Sequence, residues 1–442
     1  MESTAPVSWL RWTLRVGLLI PALLLLPGLI GASAPAPQTD DDQLAALHYA
    51  RVRAHLQQDT QYGGLLGLPV SGWKSAAISQ MAAGLMSMAV DARQEGDDAQ
   101  LEELEGLLEE AARRVLAVEN SPYDVPLDEV EDFNDWGFYL GHVGLTLGCY
   151  RYVSGDSTFD LLHRRIIRYQ LARMTADGDQ HARSYPNSYK WPADQALTLA
   201  GAHLYDRIHG SRLSVDPIDR WLAAVEARSD GGLHPLTLTD NSALPVTATG
   251  ENIAPLDSAA TPRGSGLSPT AFYMAQFAPN EAAALYARYR GERWTHRLGL
   301  GGFREWPAGA GGWDLEGGPT ALGLGSLATA QGLAPARLFG DEAAYGSILR
   351  SVQVAAVPER LGSGRGYLLA PLLVEAWLFN GVTARPWFEP PPALELEPAR
   401  APAPVGAWLL LLMDLGLIGG LVVPPLLRRR SQPAAAAEES VA

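Results

Sequence analysis

The sequence predicts an all-α fold, an (α/α)6 barrel built from six helical hairpins. Two observations predict it: apolar residues recur with helical periodicity along the middle of the chain, and the segments with this periodicity alternate between two kinds. The connections between the segments then give the barrel its polarity. The twelve predicted helices span residues 42–58, 74–93, 98–117, 136–153, 157–175, 192–208, 215–228, 267–276, 280–291, 318–333, 341–354 and 365–380.

The odd-numbered predicted helices carry charge along one face, and the even-numbered ones are apolar or small almost all round. The segment LEELEGLLEEAARRVLAVE, which starts at Leu101, represents the first kind, and KSAAISQMAAGLMSMAV, which starts at Lys74, represents the second. A helix with one charged face lies at the surface, whereas a helix that is apolar on all sides is buried. Six surface helices that alternate with six buried ones predict six antiparallel hairpins closed into a barrel. An irregular helical array or solenoid is the alternative.

The connections that lead from a surface helix to the next buried helix are long, and those that lead back are short. The long connections span residues 59–73, 118–135, 176–191, 229–266 and 292–317, with a shorter one at 355–364. All of them therefore lie at one end of the barrel, around the N-termini of the buried helices. Long loops in a compact domain are usually functional, and a helix N-terminus offers unpaired N–H groups and a partial positive charge. We expect this end, the barrel mouth, to bind anionic or oxygen-rich groups.

Both ends of the chain predict export and membrane anchoring. Arg11 and Arg15 precede a long apolar run that ends at an Ala-Ser-Ala sequence over residues 32–34, which has the form of a signal-peptidase site. A second apolar run is followed by three arginines at 428–430, the pattern of a membrane span with a basic cytoplasmic flank. Because this run contains Asp414, a removable sorting signal is an alternative.

The barrel is thus expected outside the cytoplasm, in the periplasm or at the surface of a bacterial cell, anchored to the cell membrane. The predicted domains are a signal peptide or signal anchor (1–35), the barrel (36–385), a proline-rich linker (386–404), a transmembrane helix (405–427) and a cytoplasmic tail (428–442).

Composition excludes several classes of protein. The formal net charge is −15 at pH 7, so a nucleic-acid partner is not expected. Cys149 is the only cysteine, which excludes a disulfide framework and a cysteine-rich metal site. The sequence contains no HExxH, P-loop or GxSxG pattern, and no metal or other cofactor is predicted.

Aromatic rings, carboxylates and guanidinium groups recur at equivalent places in the mouth segments. Flat aromatic faces stack on sugar rings or other apolar ligand faces, while charged side chains bind hydroxyl groups, so this lining suits a glycan or a small alcohol. The predicted substrate-binding residues are Trp73, Trp136, His142, Tyr189, Trp191, Arg263, Trp313, Arg365 and Tyr367.

Five acidic residues are candidates for acid/base catalysis, because a pair of carboxylates across a pocket is the arrangement that glycoside hydrolysis uses. Asp314 and Glu316 are two residues apart in a glycine-rich loop and cannot both cap one helix in the same way. Glu375 lies in an almost wholly apolar helix, so it requires a partner or a raised pKa. For Asp135, for Asp194 and for Asp314 taken alone, capping of a helix is the alternative. The candidates are Asp135, Asp194, Asp314, Glu316 and Glu375.

Two segments carry a resemblance to a known family. GFREWPAGAGGWDLEGGPTALGLGSLATAQGLA starts at Gly302, and YPNSYKWPADQALTLAGAHLYD starts at Tyr185. Around them, residues 185–387 resemble the bacterial membrane-associated proteins grouped with linalool dehydratase/isomerase, in the class of six-hairpin α/α barrels that also contains many glycosidases. The resemblance implies the barrel fold. Linalool dehydratase/isomerase uses pocket cysteines on a terpene alcohol, whereas this chain has only Cys149, so no catalytic residue is carried over.

Three functions are consistent with these features. The first is an enzyme, a hydrolase or a lyase, that acts on a glycan of the envelope or an exopolysaccharide. The second is a hydro-lyase or isomerase that acts on an alcohol or a lipid-like substrate. The third is a glycan-binding or envelope-assembly component without catalytic activity.

Overall fold

The computed structural model describes residues 5–33, 41–57, 73–186, 190–238, 261–310, 320–356, 372–396 and 405–430. Most of the predicted helices are present, with ends within a few residues of the prediction. A 3₁₀ turn at Val118–Asn120 accompanies them. The helices are α1 (Ala5–Ser33), α2 (Asp41–Gln57), α3 (Trp73–Glu95), α4 (Asp98–Leu116), α5 (Gly137–Ser154), α6 (Asp160–Ala176), α7 (Pro192–His209), α8 (Val215–Glu226), α9 (Gly264–Met274), α10 (Pro279–Arg293), α11 (Ser326–Gln331), α12 (Leu333–Leu338), α13 (Glu342–Ala356), α14 (Leu372–Thr383) and α15 (Val405–Arg430).

The buried helices form a closed inner ring. Around the ring, α3 packs against α5, α5 against α7, α7 against α9, α9 against the consecutive pair α11 and α12, and that pair against α14, which returns to α3. Helices α2, α4, α6, α8, α10 and α13 lie outside, each against at least one inner helix. The prediction of an α/α barrel is therefore confirmed for the described residues. The apolar helices are inside because only that position removes all of their faces from water.

The described residues contain four short strands, in two antiparallel hairpins, that the sequence did not predict. Both hairpins lie in the connection between α10 and α11. The strands are β1 (Trp294–Arg297), β2 (Leu300–Phe303), β3 (Thr320–Ala321) and β4 (Leu324–Gly325).

A Leu-Gly pair forms the turn of each hairpin. The φ angles are 52° and 81° at Leu298 and Gly299, and 55° and 81° at Leu322 and Gly323. Two consecutive residues with positive φ match a type I′ turn, whose twist fits that of paired strands. The predicted helix over 318–333 is therefore wrong in its first half, because this turn closes a hairpin before α11 begins.

At two inner helices, the N-terminus is capped by the loop that leads to the next inner helix. The N–H groups of Gly137 and Phe138, at the start of α5, donate to the carbonyl oxygens of Arg183 (3.1 Å) and Ser184 (2.9 Å). The N–H of Gly264, at the start of α9, donates to the carbonyl oxygen of Glu305 (3.0 Å). The expectation of unpaired N–H groups is thus wrong at α5 and α9, because the neighbouring loop satisfies them.

This docking explains the glycine at the first position of both helices. A Cβ atom on Gly137 would lie 2.3 Å from the carbonyl oxygen of Arg183, and one on Gly264 would lie 2.4 Å from that of Arg304. Both distances are far inside van der Waals contact, and backbone atoms cannot move aside as a flexible side chain can. The loops therefore approach the helices more closely than any side chain would permit.

We expect Gly137→Ala to lower the free energy of unfolding by about 1–3 kcal/mol, the range for overpacking at a tight contact. Gly106, exposed on α4 with open space around it, is the matched control. Gly106→Ala should stabilise the protein by about 0.5–1 kcal/mol, because alanine is the better helix former. Denaturant titration measures both, and equal effects of the two substitutions would contradict the close approach.

The chain after α14 covers the end of the barrel opposite the mouth. The N–H of Trp387 donates to Oε1 of Gln276 at 2.9 Å. The ring of Phe388 lies under the guanidinium of Arg207 at 4.7 Å and against the edge of Tyr152 at 6.1 Å. Residues of the predicted linker thus pack on the C-terminal parts of inner helices.

Helices α1 and α15 pack against each other, and α1 also packs against α13. α15 includes the range 405–427 for which the sequence predicts a membrane span. Of the helices in the described ranges, none has the length and apolar character that crossing a membrane requires. Export and membrane anchoring stay predictions from the sequence.

Candidate active site

Aromatic side chains line the mouth where α3, α5 and α7 begin. Tyr185 stacks on Phe138 with 5.5 Å between ring centroids, and its ring is edge-on to Trp136 at 5.8 Å and to Trp191 at 6.0 Å. Trp73 meets the edge of Phe138 at 6.2 Å. All but Phe138 keep part of their surface exposed. These five residues, the mouth aromatic cluster, bring together three of the predicted substrate-binding residues, Trp73, Trp136 and Trp191.

Asp194 lies beside this cluster, as the third residue of α7, and its side chain is buried. The hydroxyl of Ser184 donates a hydrogen bond to Oδ2 of Asp194. Burial raises the pKa of Asp194 from its ordinary value to about 7, and the hydrogen bond from Ser184 opposes part of that rise. The carboxyl group is bonded to a serine side chain of another segment, so the capping alternative does not describe it. A carboxyl group with such a pKa can donate a proton at neutral pH.

The loop that carries Ser184 and Tyr185 is held in place by its own contacts. Nζ of Lys190, which is buried, donates to Asp177 at 2.6 Å and to Asp179 at 2.7 Å. The side-chain amide of Gln195 forms two hydrogen bonds with the backbone of Ala182, at 3.0 and 3.1 Å. A fixed loop keeps the Ser184 hydroxyl at Asp194 without a further loss of conformational freedom when a ligand binds.

A polar layer crosses the barrel beneath the aromatic rings. Nδ2 of Asn380 on α14 donates to Oε1 of Gln80 on α3 at 2.6 Å, and Nε2 of Gln80 donates to the hydroxyl of Tyr273 on α9. Because α3 and α9 are opposite each other in the ring, the second bond spans the barrel axis. Burial raises the pKa of Tyr273, the hydrogen bond from Gln80 opposes this rise, and the nearby Cys149 and Asp194 add to it. This layer, the barrel floor, therefore lies close to Asp194.

The predicted substrate-binding residue His142 belongs to the same depth of the barrel. Nδ1 of His142 on α5 lies 2.6 Å from the hydroxyl of Ser79 on α3. The ring lies edge-on beneath Phe138, with 4.6 Å between ring centroids. Burial lowers the pKa of His142 to about 3, so the ring is neutral at physiological pH.

Asp135 is placed at the mouth, two residues before α5, but its carboxylate is occupied by an ion pair. Its two oxygens accept hydrogen bonds from Nε and an Nη atom of Arg173 on α6, at 2.6 and 3.0 Å. Its N–H donates to the hydroxyl of Tyr169 at 3.0 Å. The φ angle of Asp135 is 57°, so the chain turns here in the left-handed region. These contacts tie the mouth to the outer ring of helices.

We expect Asp135→Asn to lower the free energy of unfolding by about 1–2 kcal/mol, because a partly exposed, bidentate ion pair contributes little more. Activity should stay within a factor of about two, since no proton is transferred by a carboxylate that Arg173 occupies. Arg173→Ala should lower the free energy of unfolding by about the same amount, and the double variant should lower it by less than the sum of the two single effects. A loss of activity of hundreds-fold in Asp135→Asn at unchanged stability would return Asp135 to the catalytic set.

Glu375, a predicted catalytic acid, has found the partners that a carboxylate in an apolar helix requires. Its oxygens lie 2.6 Å from Nδ1 of His48 and 2.5 Å from an Nη atom of Arg51, both on the outer helix α2. Burial alone would raise the pKa of Glu375, but the bonds to His48 and Arg51 outweigh it and the pKa is lowered. The carboxylate is thus directed to the seam between α14 and α2.

Arg263 precedes α9 and is buried, with its guanidinium over the ring of Trp306 at 4.1 Å. The adjacent Glu305 accepts hydrogen bonds from the N–H of Ser265 at 2.9 Å and from its hydroxyl at 2.6 Å. Burial raises the pKa of Glu305, and the bonds from Ser265 and the charge of Arg263 oppose this. Glu305, in the connection between α10 and α11, thus caps the N-terminus of α9, a role that its sequence context did not indicate.

Several predicted site residues lie outside the described residues, so their predicted roles are untested. These are Tyr189, Trp313, Asp314, Glu316, Arg365 and Tyr367.

Sequence reasoning missed most of the polar residues of the site. Ser184, Gln80 and Asn380 are single polar residues that no motif marks. The only signal was position: Gln80 and Asn380 are polar residues inside apolar buried helices, where an amide without a partner is costly. In the ranges that the structure covers, no group of three or more histidine, cysteine, aspartate or glutamate side chains could hold a metal ion.

No protein-family model and no curated protein matches this chain. Among solved structures, the chain is similar to a family 76 glycoside hydrolase from a bovine Bacteroides thetaiotaomicron strain, at 12% identity and a TM-score of 0.48, over 79% of this chain and 78% of that one. It is also similar to a polysaccharide lyase, at 13% identity and a TM-score of 0.43, over 78% of this chain and 97% of that one. At these values neither neighbour assigns a function, and the resemblance to the linalool dehydratase/isomerase group stays a prediction.

Proposed function

We propose that this chain is an acid/base enzyme that acts on a glycan, with Asp194 as the proton donor. One observation carries the proposal: a buried carboxyl group with a pKa raised to about 7 lies beside the mouth aromatic cluster. Burial of a polar group costs free energy, and carboxyl groups with strongly shifted pKa values are concentrated at active sites. The protonated form at neutral pH is the form that a general acid requires.

The lining supports a sugar over an apolar substrate. Half-buried rings at the mouth offer flat surfaces to the faces of a ligand, and the floor beneath them is built from amide, hydroxyl and imidazole groups. Apolar pockets with a few fixed polar groups are typical of small-ligand sites, and the number of polar groups here suits a ligand rich in hydroxyls.

A second carboxylate would complete the acid/base pair. Asp314 and Glu316 are the sequence's candidates for this base or nucleophile. Whether the reaction is hydrolysis or elimination depends on that partner.

The hydro-lyase alternative finds less support in the pocket. A cysteine mechanism needs a thiolate, but burial raises the pKa of Cys149 far above its ordinary value and keeps the thiol protonated. A terpene-like substrate would also suit an apolar floor better than the bond between Gln80 and Tyr273.

A substrate screen tests the proposal. The purified full-length chain is incubated with neutral and acidic polysaccharides, with synthetic glycosides, and with prenyl alcohols as a separate arm. New reducing ends indicate hydrolysis, and the ultraviolet absorbance of an unsaturated sugar indicates elimination. We expect turnover in the glycan arm. Turnover of a prenyl alcohol alone would overturn the proposal. Glycans that bind but are not turned over, or that are turned over equally well when Asp194 is replaced, would also overturn it.

A further inference from the structure

The contacts of His142 favour one of its two neutral tautomers. The hydroxyl of Ser79 has one proton, and it lies 3.0 Å from the carbonyl oxygen of Ala76, which can only accept. Both contacts of Ser79 are satisfied together when its proton goes to Ala76 and Nδ1 of His142 donates across the 2.6 Å contact, and this is the tautomer we assign. In a neutral ring with a proton on Nδ1, Nε2 carries a lone pair and can only accept.

The hydrogen bonds of His142 within the described residues involve Nδ1 and the backbone carbonyl oxygen, and Nε2 takes part in neither. The ring lies one turn below Phe138, a member of the mouth aromatic cluster. An acceptor at this depth to which no protein group donates is normally satisfied by water or a ligand.

A second acceptor lies on the other side of α3. Nδ2 of Asn380 donates to Gln80, and this bond fixes the amide so that Oδ1 is the remaining acceptor. Oδ1 is buried and has no partner within the described residues. α5 and α14 flank α3 in the inner ring, so the consecutive residues Ser79 and Gln80 orient one acceptor on each neighbouring helix.

We propose that the barrel floor is a subsite for hydroxyl groups of a neutral sugar, in which Nε2 of His142 and Oδ1 of Asn380 each accept a hydrogen bond. The floor presents lone pairs from two neutral groups, and a hydroxyl proton complements such an acceptor without a change of charge. The mouth rings above it would hold the face of the same sugar. This subsite rests on the proposed function, since it takes the ligand of that function.

Binding, rather than turnover, tests the subsite. Asp194→Asn serves as the background, because it removes the acid and leaves the floor intact. Calorimetry measures the Kd of free neutral hexoses and of their monodeoxy analogues. Adding His142→Phe to this background should weaken binding of a hexose by about tenfold, which corresponds to the loss of one good hydrogen bond. The deoxy analogue that lacks the hydroxyl bound by His142 should bind the background and the double variant equally. Asn380→Leu should give the same pattern with a different deoxy position.

Two further variants control for packing. His163, a fully buried histidine on α6 whose pKa burial also lowers to about 3, is the matched control, and His163→Phe should leave the Kd unchanged. Ser79→Ala removes the acceptor that holds Nδ1 and should weaken hexose binding less than His142→Phe does. Equal weakening of the hexose and of every deoxy analogue would mean a packing role and would overturn the subsite.

The outcomes separate this inference from the proposed function. The subsite alone fails if the wild type turns over glycans but His142→Phe and Asn380→Leu, added to the background, bind hexoses as tightly as the background does. If no sugar binds or is turned over, both fail. A third measurement does not depend on a sugar: nitrogen NMR of labelled histidines should show His142 neutral, with its proton on Nδ1, from pH 5 to 9. A proton on Nε2 would overturn the assignment.

Discussion

Replacing Asp194 by asparagine should abolish activity and at the same time stabilise the protein above neutral pH. The amide keeps the volume and an acceptor for Ser184 but cannot donate a proton from a carboxyl group, so kcat should fall by a factor of hundreds or more. The variant should still bind substrate, since the mouth aromatic cluster and the floor are unchanged. Steady-state kinetics should therefore show the loss in kcat and little change in KM.

The stability of the Asp194→Asn variant depends on pH with a defined sign. In the folded protein Asp194 keeps its proton up to about pH 7, whereas in the unfolded chain it loses the proton near pH 4. Between these values the folded state binds more protons, so the wild-type protein loses stability as the pH rises. The variant should match the wild type near pH 4 and exceed it at pH 8 by on the order of 2–4 kcal/mol.

Denaturant titrations of both proteins at pH 4, 6 and 8 measure this difference. Asp177 is a suitable comparison, because the bond from Lys190 lowers its pKa and its contribution has the opposite sign. Asp177→Asn should be less stable than the wild type at pH 8. A lower stability of Asp194→Asn at pH 8 together with full activity would show that Asp194 is an ordinary ionised carboxylate.

Removing the Glu375 carboxylate should have the largest effect on stability. Glu375→Ala removes the buried carboxylate that pairs with His48 and Arg51, and breaking such a pair costs about 3–5 kcal/mol. Glu109→Ala, which breaks the exposed pair with Arg113 on α4, is the control and should cost less than about 1 kcal/mol. Glycan binding by the folded fraction should be unchanged, because Glu375 is directed away from the floor.

The pH dependence of this effect follows from the lowered pKa of Glu375. Its contribution to stability is present above the pKa of a glutamate in the unfolded chain and is lost as the pH falls through the folded value. The wild type should therefore lose more stability than Glu375→Ala on acidification. A catalytic Glu375 would instead give a variant with nearly normal stability and no activity.

The carboxylates show why sequence could propose the site but not resolve it. Asp135 and Asp194 both lie beside the start of an inner helix, and capping of that helix is the alternative that the sequence offers for both. Arg173 on α6 pairs with the first, while Ser184, without a charge, is the partner of the second. Arg173 occupies both oxygens of Asp135, whereas burial beside a neutral hydroxyl raises the pKa of Asp194, so the two residues differ in chemistry despite their similar positions.

The sequence by itself determined the barrel and its polarity. Apolar faces must be buried, so the alternation of charged and apolar helices fixed which helices are inside, and the lengths of the loops fixed which end is the mouth. It also indicated the aromatic residues Trp73, Trp136 and Trp191, which do meet at the mouth. These properties depend on patterns within short segments, which a single sequence displays directly.

Only the tertiary structure decided which polar groups act together. Glu375 pairs with His48 from 327 residues away, and Gln80 reaches Tyr273 across 193 residues. Such pairs depend on the rotation of each helix about its axis and on which helices are opposite each other in the ring. No local pattern encodes these quantities, because the energy of a buried ion pair or amide bond depends on the distance and desolvation of both partners.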